Sequence, residues 1–334
     1  MSTLKMQKTK NFVTIIMVTY NSVSKLHSFF DKVIRSLIDL NYDNYVVIVV
    51  DNNSRDYTIN HIKELMRGRE TRILVVKLRE NKGLPYAYNV GAIIAVKFFP
   101  RTKYFLFIND DVILSKDAIS TLIEDLEKAP CDAIQPIIMH LDGHKEVGFR
   151  MGITGYVKPI GYEEMGPAPL VKVPVIAGAA LMVKRDVFFN VGMFDGDMFW
   201  GYDDVDFCWR LHKHGYDTCV TKRTYVVHYG SATWGKENPI KYYYGVRNHI
   251  YMYYKNKDFV NAIIHSPILL LEILKILHWK LSRRVSRGVK AILLGIIDGV
   301  YRIPKALKNR GIPQKTYPTY FDLNVDIDLL LGKR

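Results

Sequence analysis

The stretch KYFLFINDDVILS, residues 103–115, runs from an apolar, aromatic segment straight into Asn109, Asp110 and Asp111. Two adjacent carboxylates at the end of a buried strand are costly unless something compensates their charge. A divalent cation does so. Residues 103–109 therefore read as a strand whose carboxyl end opens on a ligand site.

Three similar runs precede it: FVTIIMVTY (12–20), YVVIVVD (45–51) and TRILVVKL (71–78). Each is short and β-branched, which suits a strand buried on both faces. Between the first two, SVSKLHSFFDKVIRSLIDL places Leu26, Phe30, Val33, Ile34 and Leu37 at helical spacing, with Ser22 as a candidate N-cap. GLPYAYNVGAIIAVKFF reads as a helix with Pro85 tolerated near its start. The order βαβαβαβ predicts an α/β fold with a mostly parallel, twisted sheet and helices on both faces. Ligands in such sheets bind at the carboxyl ends of strands. Thr19-Tyr20-Asn21, Asp51-Asn52-Asn53 and Asn109-Asp110-Asp111 all lie at such ends and are expected to converge on one cleft.

The loops argue against the commonest nucleotide sites. No glycine follows the first strand, where G-x-G-x-x-G would sit, and G-x-x-x-x-G-K-[ST] is absent. Asp51 can accept from a pyrimidine N3–H or from ribose hydroxyls; alternatively, Asp51-Asn52-Asn53 only builds a turn. The helix opening at Lys82-Gly83 offers N–H groups and a dipole to an anion.

A second acidic group lies in WGYDDVDFCWR, residues 200–210, where Asp203, Asp204 and Asp206 begin a helix that stops at Gly215. Helix stability alone explains acids at this place, and Asp206 and Arg210 are spaced to pair. It does not explain an adjacent acid pair preceded by Trp200, Gly201 and Tyr202.

The chain has 334 residues, 49% hydrophobic and 24% charged, with a formal net charge of +14. Cys131, Cys208 and Cys219 are odd in number and show no C-x-x-C spacing, so a reducing compartment is expected and neither a disulfide frame nor a zinc site. The start, MSTLKMQKTKNF, has no apolar h-region, which sets the expectation of a cytoplasmic protein. Positive charge concentrates late: residues 272–310 hold ten Lys/Arg against Glu272 and Asp298. The most apolar stretch, FVNAIIHSPILLLEILKILHW (259–279), is interrupted by His265, Pro267, Glu272 and Lys275, and its longest unbroken run falls short of a membrane span. The following segment to Arg310 alternates Leu, Val and Ile with Lys and Arg, as in a helix lying in a membrane interface; a helix docked on the catalytic domain is the competing reading. Sparse aromatic interleaving and the lack of an RNA or DNA module argue against nucleic acid.

In order along the chain, IIMVTYNS, VVDNNSRD, ENKGLPYAYNVGA, FINDDV, AGAALMVKRDVFFNVGMFD, WGYDDVDFCWRLHKHGY and YYYGVRNHIYMYYKN resemble the family 2 inverting glycosyltransferases, in the rhamnosyltransferase and galactofuranosyltransferase-like branch. The resemblance covers roughly residues 12–255. It implies a GT-A fold, a nucleotide-sugar donor (UDP- or dTDP-linked), a glycan or lipid-linked acceptor, and Mg2+ or Mn2+. It makes Asp111 the direct metal ligand, with Asn109 standing where the family's D-x-D motif has its first aspartate, and His228 a second metal or diphosphate ligand. Donor contacts are implied for Thr19, Tyr20, Asn21, Asp51, Asn53, Asn81, Gly83, Asn89, Asn109 and Asp110. Asp204 maps to the general base, and Trp200, Tyr202, Asp203, Arg247 and Asn248 to the acceptor side. The expected organisation is a catalytic domain over 1–235 and a helical, basic, membrane-associating region over 236–334, peripheral on the inner face of the cell membrane. Sugar-phosphate nucleotidyltransfer and a non-enzymatic basic membrane- or nucleic-acid-binding protein are the alternatives; the first would favour a Gly-rich basic loop where the chain has VTYNSVSK.

Overall fold

The computed structural model describes residues 11–67, 72–230, 238–283, 285–310 and 325–331. The chain opens with β1 (Phe12–Thr19), α1 (Ser22–Leu26), α2 (Ser28–Ser36), β2 (Tyr45–Asp51), α3 (Thr58–Met66), β3 (Arg72–Leu78), α4 (Leu84–Phe98) and β4 (Thr102–Asn109). These strands pair in parallel in the order β4-β1-β2-β3. Their side chains alternate between two cores. Ile16, Val18, Ile48, Val50, Phe105 and Phe107 face α4, while Val13, Ile15, Met17, Val47, Val49 and Leu106 pack with α2 and α3. Burial on both faces is why these runs are apolar throughout.

The helix expected after β1 is broken. His27 takes a left-handed φ of 49° between α1 and α2, and both Leu26 and Phe30 still reach the core. Ser22 is the first residue of α1 rather than its cap; Asn21 holds the cap position.

The sheet continues as a mixed one. β5 (Val112–Leu114), α5 (Ala118–Lys128), β6 (Ala133–His140), β7 (Lys145–Glu146), β8 (Phe149–Met151), β9 (Val157–Pro159), β10 (Leu170–Lys172), β11 (Ala180–Lys184), α6 (Arg185–Asn190), α7 (Asp203–Lys213) and β12 (Thr218–His228) follow in order. β11 enters antiparallel beside β4 and β6, and β12 runs parallel to β6. Parallel order thus holds for the first half of the sheet, and the second half curls away from it through antiparallel neighbours.

That pairing overturns the expectation that the cysteines form no disulfide. β12 lies beside β6 with Cys219 opposite Ile134, which brings Cys219 to Cys131 at a Cα–Cα distance of 6.1 Å, and the two form a disulfide. Sequence spacing could not reveal it, because 88 residues separate the partners and only the parallel register joins them. Cys208 is the free, buried thiol.

The rest is helical: α8 (Pro239–Asn256), α9 (Phe259–Ser282), α10 (Ser286–Tyr301) and α11 (Ile303–Lys308), followed by β13 (Val325–Leu331), which pairs antiparallel with the edge strand β3. α8 packs against α7, α10 and α11. α9 runs unbroken through Pro267, so the residue that interrupts the apolar run does not interrupt the helix. Its 24 residues are long and apolar enough to cross a membrane by length and composition. It buries Ala262, Leu269, Ile273 and Lys280 and exposes Val260, Ile263, Ile264, Ile268, Leu270, Leu271 and Leu274.

Candidate active site

Sheet register sets the floor of the site. Thr19 lies opposite Asp51 and Val18 opposite Asn109, so three adjacent strands end at one level, where the chain order reverses around β1. A cleft of about 290 Å3 opens there. Of the residues read from the sequence, Tyr20, Asn81, Gly83, Asn109, Asp110, Asp111, Trp200 and His228 line it.

The acidic end of β4 is held from two sides. The Ser22 hydroxyl donates to Asp110. Burial, and then the charge of Asp111, push the Asp110 carboxyl up to about 7. β5 begins directly after Asp111 and pairs antiparallel with β12, placing His228 opposite Val112. Hence His228 Nε2 lies 3.1 Å from Asp111 Oδ1. Burial disfavours the charged imidazole, but the hydrogen bond and charge of Asp111, with Glu146 and Asp110, outweigh it and raise the His228 pKa above its ordinary value.

The donor set can be tested against a hard cation. Asp111 and His228 stand in contact at the cleft wall, and His228 Nδ1 is buried with no hydrogen-bond partner. Among the described residues, no three His, Cys, Asp or Glu side chains form a metal cage. One carboxylate and one imidazole fit Mg2+ or Mn2+ bound chiefly through phosphate and water, the mode those ions favour at diphosphates.

The second acidic pair is placed by a strained loop. Phe199 and Tyr202 take φ of 59° and 63°, a conformation L side chains rarely adopt. Gly83 fits beneath: a Cβ there would meet Phe199 O at 2.3 Å, and Leu84 N donates to that same oxygen at 2.8 Å. Tyr202 caps α7 and stacks on His249, ring centroids 5.1 Å apart. Asp204 Oδ2 accepts from Gly178 N at 3.0 Å and Oδ1 from Val205 N at 2.8 Å. Burial raises its pKa against these donors. Burial and the neighbouring Asp204 charge push Asp203 up to about 7.

Asp206, by contrast, turns into the protein. It accepts from Arg210 Nε at 2.8 Å and Asn256 Nδ2 at 2.7 Å. Lys255 Nζ lies 3.0 Å from it and 2.5 Å from Asp195. Burial alone would raise the Asp206 pKa; Arg210 and then Lys255 outweigh it and hold the carboxyl at about 2. The expected Asp206–Arg210 pair is present, and Lys255 with Asp195 extends it into a buried network tying α7 to α8.

Several residues read as ligands face inward. Asp51 is buried and accepts from Thr19 Oγ1 at 3.0 Å and Ser54 N at 2.8 Å. Asn21 accepts from Arg55 N, and Asn53 takes a left-handed φ of 64°, so this segment builds a turn. Asn89 exchanges two hydrogen bonds with the Phe194 backbone. Arg247 donates to Asp197 O and Met198 O. Asn248 donates to Met198 O, Trp200 O and Gly201 O. Asn89 thus holds the backbone at Phe194, and Arg247 and Asn248 hold the carbonyls of the loop at 197–201.

Tyr88 escaped the sequence reading and lies buried beneath the cleft, behind Asn109. Its buried hydroxyl donates to Asn109 Oδ1 at 2.9 Å. Burial and then the charges of Asp203, Asp110, Asp111 and Asp204 raise its pKa well above the usual phenol value. Both acid pairs therefore bear on one point. Nothing in the local sequence marks Tyr88 apart from a core tyrosine. Asn52, expected at the cleft with the end of β2, lines it and accepts from Lys82 N at 3.0 Å through Oδ1; Lys241 also lines it and was not singled out.

Parallel strand ends carrying polar residues, beside a helix-borne acid pair, define the nucleotide-sugar-dependent class of the GT-A fold. The chain belongs to that class's glycosyl transferase family 2, whose description matches residues 14–192. It is 24% identical over 302 residues to the dTDP-rhamnosyl transferase RfbF of Shigella flexneri, covering 85% of this chain and 94% of that protein. It is 22% identical over 211 residues to the poly-beta-1,6-N-acetyl-D-glucosamine synthase of Staphylococcus epidermidis, covering 61% of this chain. The chain spans about half the length of that relative, 47%. Among solved structures, the mannosyltransferase PcManGT of Pyrobaculum calidifontis, in complex with GDP-Man and Mn2+, superposes with a TM-score of 0.54 at 16% identity, over 89% of this chain and 86% of that one. The S. aureus TarS fragment 1-349 with UDP-GlcNAc gives 0.54 at 13% identity, over 87% and 91%. The resemblance read from the seven sequence blocks is borne out at the level of family and fold.

Proposed function

We propose that the protein is a metal-dependent inverting glycosyltransferase that moves a sugar from a nucleoside-diphosphate donor to a hydroxyl of a glycan or lipid-linked acceptor. The observation that carries this reading is the cleft at the strand ends lined by Asn109, Asp110, Asp111 and His228; α7 opens with Asp203 and Asp204, whose charges bear on Tyr88, the hydrogen-bond donor to Asn109. One acid pair ends a strand at the cleft and the other begins a helix beside it, as a leaving-group site and an acceptor site require. Asp111 and His228 would hold Mg2+ or Mn2+, which neutralises the charge that accumulates on the departing diphosphate. Tyr20, Asn81, Gly83 and Asn109 line the donor's side of the cleft. Asp204 takes the proton of the acceptor hydroxyl as that oxygen attacks C1 of the sugar from the face opposite the diphosphate. A single displacement inverts the anomeric centre. Asp203 binds an acceptor hydroxyl, and Trp200 offers a sugar-stacking face.

The helical region from residue 236 is the part we assign to an anionic membrane surface. α9 is held to the catalytic domain by Glu272, which accepts from Thr154 Oγ1 at 2.5 Å, and to α8 by buried Lys280, whose Nζ lies 4.1 Å from the Tyr242 ring centroid. We read α9, held along one side, as lying on the bilayer surface rather than crossing it. Exposed Arg283, Arg287 and Lys290 suit anionic headgroups near its end; Arg284 lies outside the described residues. On this reading the acceptor site stands close to lipid-linked substrates at the inner face of the cell membrane.

The test is thermal stabilisation by a panel of UDP-, dTDP- and GDP-sugars with and without Mn2+. A donor at a hundredfold excess over Kd adds about 2.7 kcal/mol. One class of donor is expected to stabilise the protein only with the cation. Stabilisation by none, or equal stabilisation in EDTA, contradicts the reading.

A further inference from the structure

Between Phe259 and Trp279, α9 carries one carboxylate, Glu272. It turns toward the protein, beside buried Leu269 and Ile273, and accepts from the hydroxyl of Thr154, which is fully buried. A seat for an apolar helix does not need an acid there, because a carboxylate taken out of water costs free energy unless hydrogen bonds compensate it.

Thr154 lies in the turn between β8 and β9, and that turn is wedged among helices. Gly155 takes φ 79°, and a Cβ there would meet Trp209 Cζ3 of α7 at 2.5 Å and Met252 Cε of α8 at 2.6 Å. Lys257, at the end of α8, donates to Ile153 O at 3.2 Å. His249 Nε2 of α8 donates to Thr154 O at 3.0 Å, and Glu272 Oε2 lies 4.0 Å from the same nitrogen. Burial pushes the His249 imidazole down to about 4. At neutral pH the ring is therefore uncharged and is oriented by the Thr154 carbonyl rather than by an ion pair. Its face lies on Tyr202, with ring planes 9° apart.

Tyr202 is the cap of α7 at φ 63°, and its carbonyl accepts from Asp206 N at 2.8 Å. A tyrosine keeps such a conformation only where its surroundings impose it. Asn248 holds the carbonyls of Trp200 and Gly201 and stops one residue short of Tyr202. The stack on His249 continues the constraint.

We propose that Glu272 is a positioning residue for the acceptor side of the site: through Thr154 and His249 it fixes Tyr202, and with Tyr202 the start of the helix that carries Asp203 and Asp204. The proposal rests on the reading of that acid pair as acceptor ligand and base. It joins the helix assigned to the bilayer surface to the loop that receives the acceptor, so α9 does more than attach the enzyme. Without the link, Tyr202 is free to relax, while Arg247 and Asn248 still hold 197–201 and the strand ends of the donor side are untouched.

The experiment is amide hydrogen exchange of the full chain, read residue by residue by mass spectrometry, with calorimetric titration of the same proteins by UDP, dTDP and GDP in Mn2+. Wild type is compared with Glu272→Ala, Glu272→Gln and Thr154→Val. The reporters are Asp206 N–H, which donates to Tyr202 O, and Gly178 N–H, which donates to Asp204 Oδ2. Both should exchange about tenfold faster in Glu272→Ala and Thr154→Val, the size of one hydrogen bond to a charged group. Glu272→Gln should stay close to wild type, because its amide oxygen still accepts from the Thr154 hydroxyl. The nucleoside diphosphate that wild type binds should keep its affinity in every variant. Unchanged exchange at both amides in Glu272→Ala and Thr154→Val overturns the proposal. So does a loss that Glu272→Gln fails to restore, a matching loss of diphosphate affinity, or equal acceleration along β1 and β4, the mark of general destabilisation. A wild type that binds none of the three diphosphates refutes the donor reading instead, on which the exchange result does not depend.

Discussion

Replacing Lys255 by Met should destabilise the protein through the network that anchors α7. Lys255 is almost fully buried, with Nζ 2.5 Å from Asp195 Oδ2 and 3.0 Å from Asp206 Oδ1. Met preserves length and apolar volume and deletes the charge. Removing one partner of a buried ion pair costs about 3–5 kcal/mol, because the remaining charge stays desolvated. In a chain of this size that corresponds to a fall in Tm of about 4–7 °C. The pH dependence follows from Asp206, whose carboxyl is held at about 2 against an ordinary 3.8. A depressed carboxylate contributes stability that is present above its unfolded pKa and lost as pH falls through the folded value. Deleting Lys255 removes part of that contribution. The deficit should therefore be widest near neutral pH and narrow as pH falls below about 4 toward 2. Thermal melts of both proteins between pH 3 and 8 measure it. A Lys255→Met protein that melts with wild type at pH 7, or a deficit that does not change with pH, refutes the reasoning.

Gly83→Ala should lower Tm and weaken donor binding together, since a Cβ at φ 89° meets the Phe199 backbone at 2.3 Å; overpacking of this kind costs about 1–3 kcal/mol, and a variant that melts and binds as wild type contradicts the close approach. Asp203→Asn should raise Tm near pH 8 and lose that advantage by pH 4, because Asp203 is pushed up to about 7 by burial and Asp204 and ionising it in the fold costs stability as pH rises through that window. A pH-independent difference in melts would place Asp203 in solvent. Converting Arg283, Arg287 and Lys290 to Glu should reduce cosedimentation with anionic vesicles, each basic residue at such a surface contributing about 1 kcal/mol; equal binding by the reversed protein removes the membrane assignment.

The parallel half of the sheet was legible because β1, β2 and β4 are buried on both faces and read as unbroken β-branched or aromatic runs. Polar residues at their ends could be assigned to a cleft because parallel strands place those ends on one side. Legibility stopped where tertiary pairing decides. Asp206 and Asp204 lie two residues apart in one acidic run, yet one faces Lys255 and the other Gly178 N. Asn248 and Lys241 belong to one aromatic helix, and only the loop at 197–201 separates a support from a cleft residue. His27 breaks a helix whose apolar spacing continues past it. Pro267 interrupts the apolar run in sequence, yet α9 continues through it with Ala262, Leu269 and Ile273 packed on either side. The disulfide depends on a register between β6 and β12 that no local signal carries.

The measurement that bears most directly on the account is steady-state transfer by Asp204→Asn and Asp203→Asn with one donor and one acceptor, alongside donor affinity for each. Asp204→Asn should lower kcat by about 10²–10⁴, the usual loss on removing a general base, with donor affinity unchanged, while Asp203→Asn should mainly raise the acceptor KM. Near-normal kcat in Asp204→Asn, or abolition of transfer by Asp203→Asn alone, would mean that the base lies on another carboxylate.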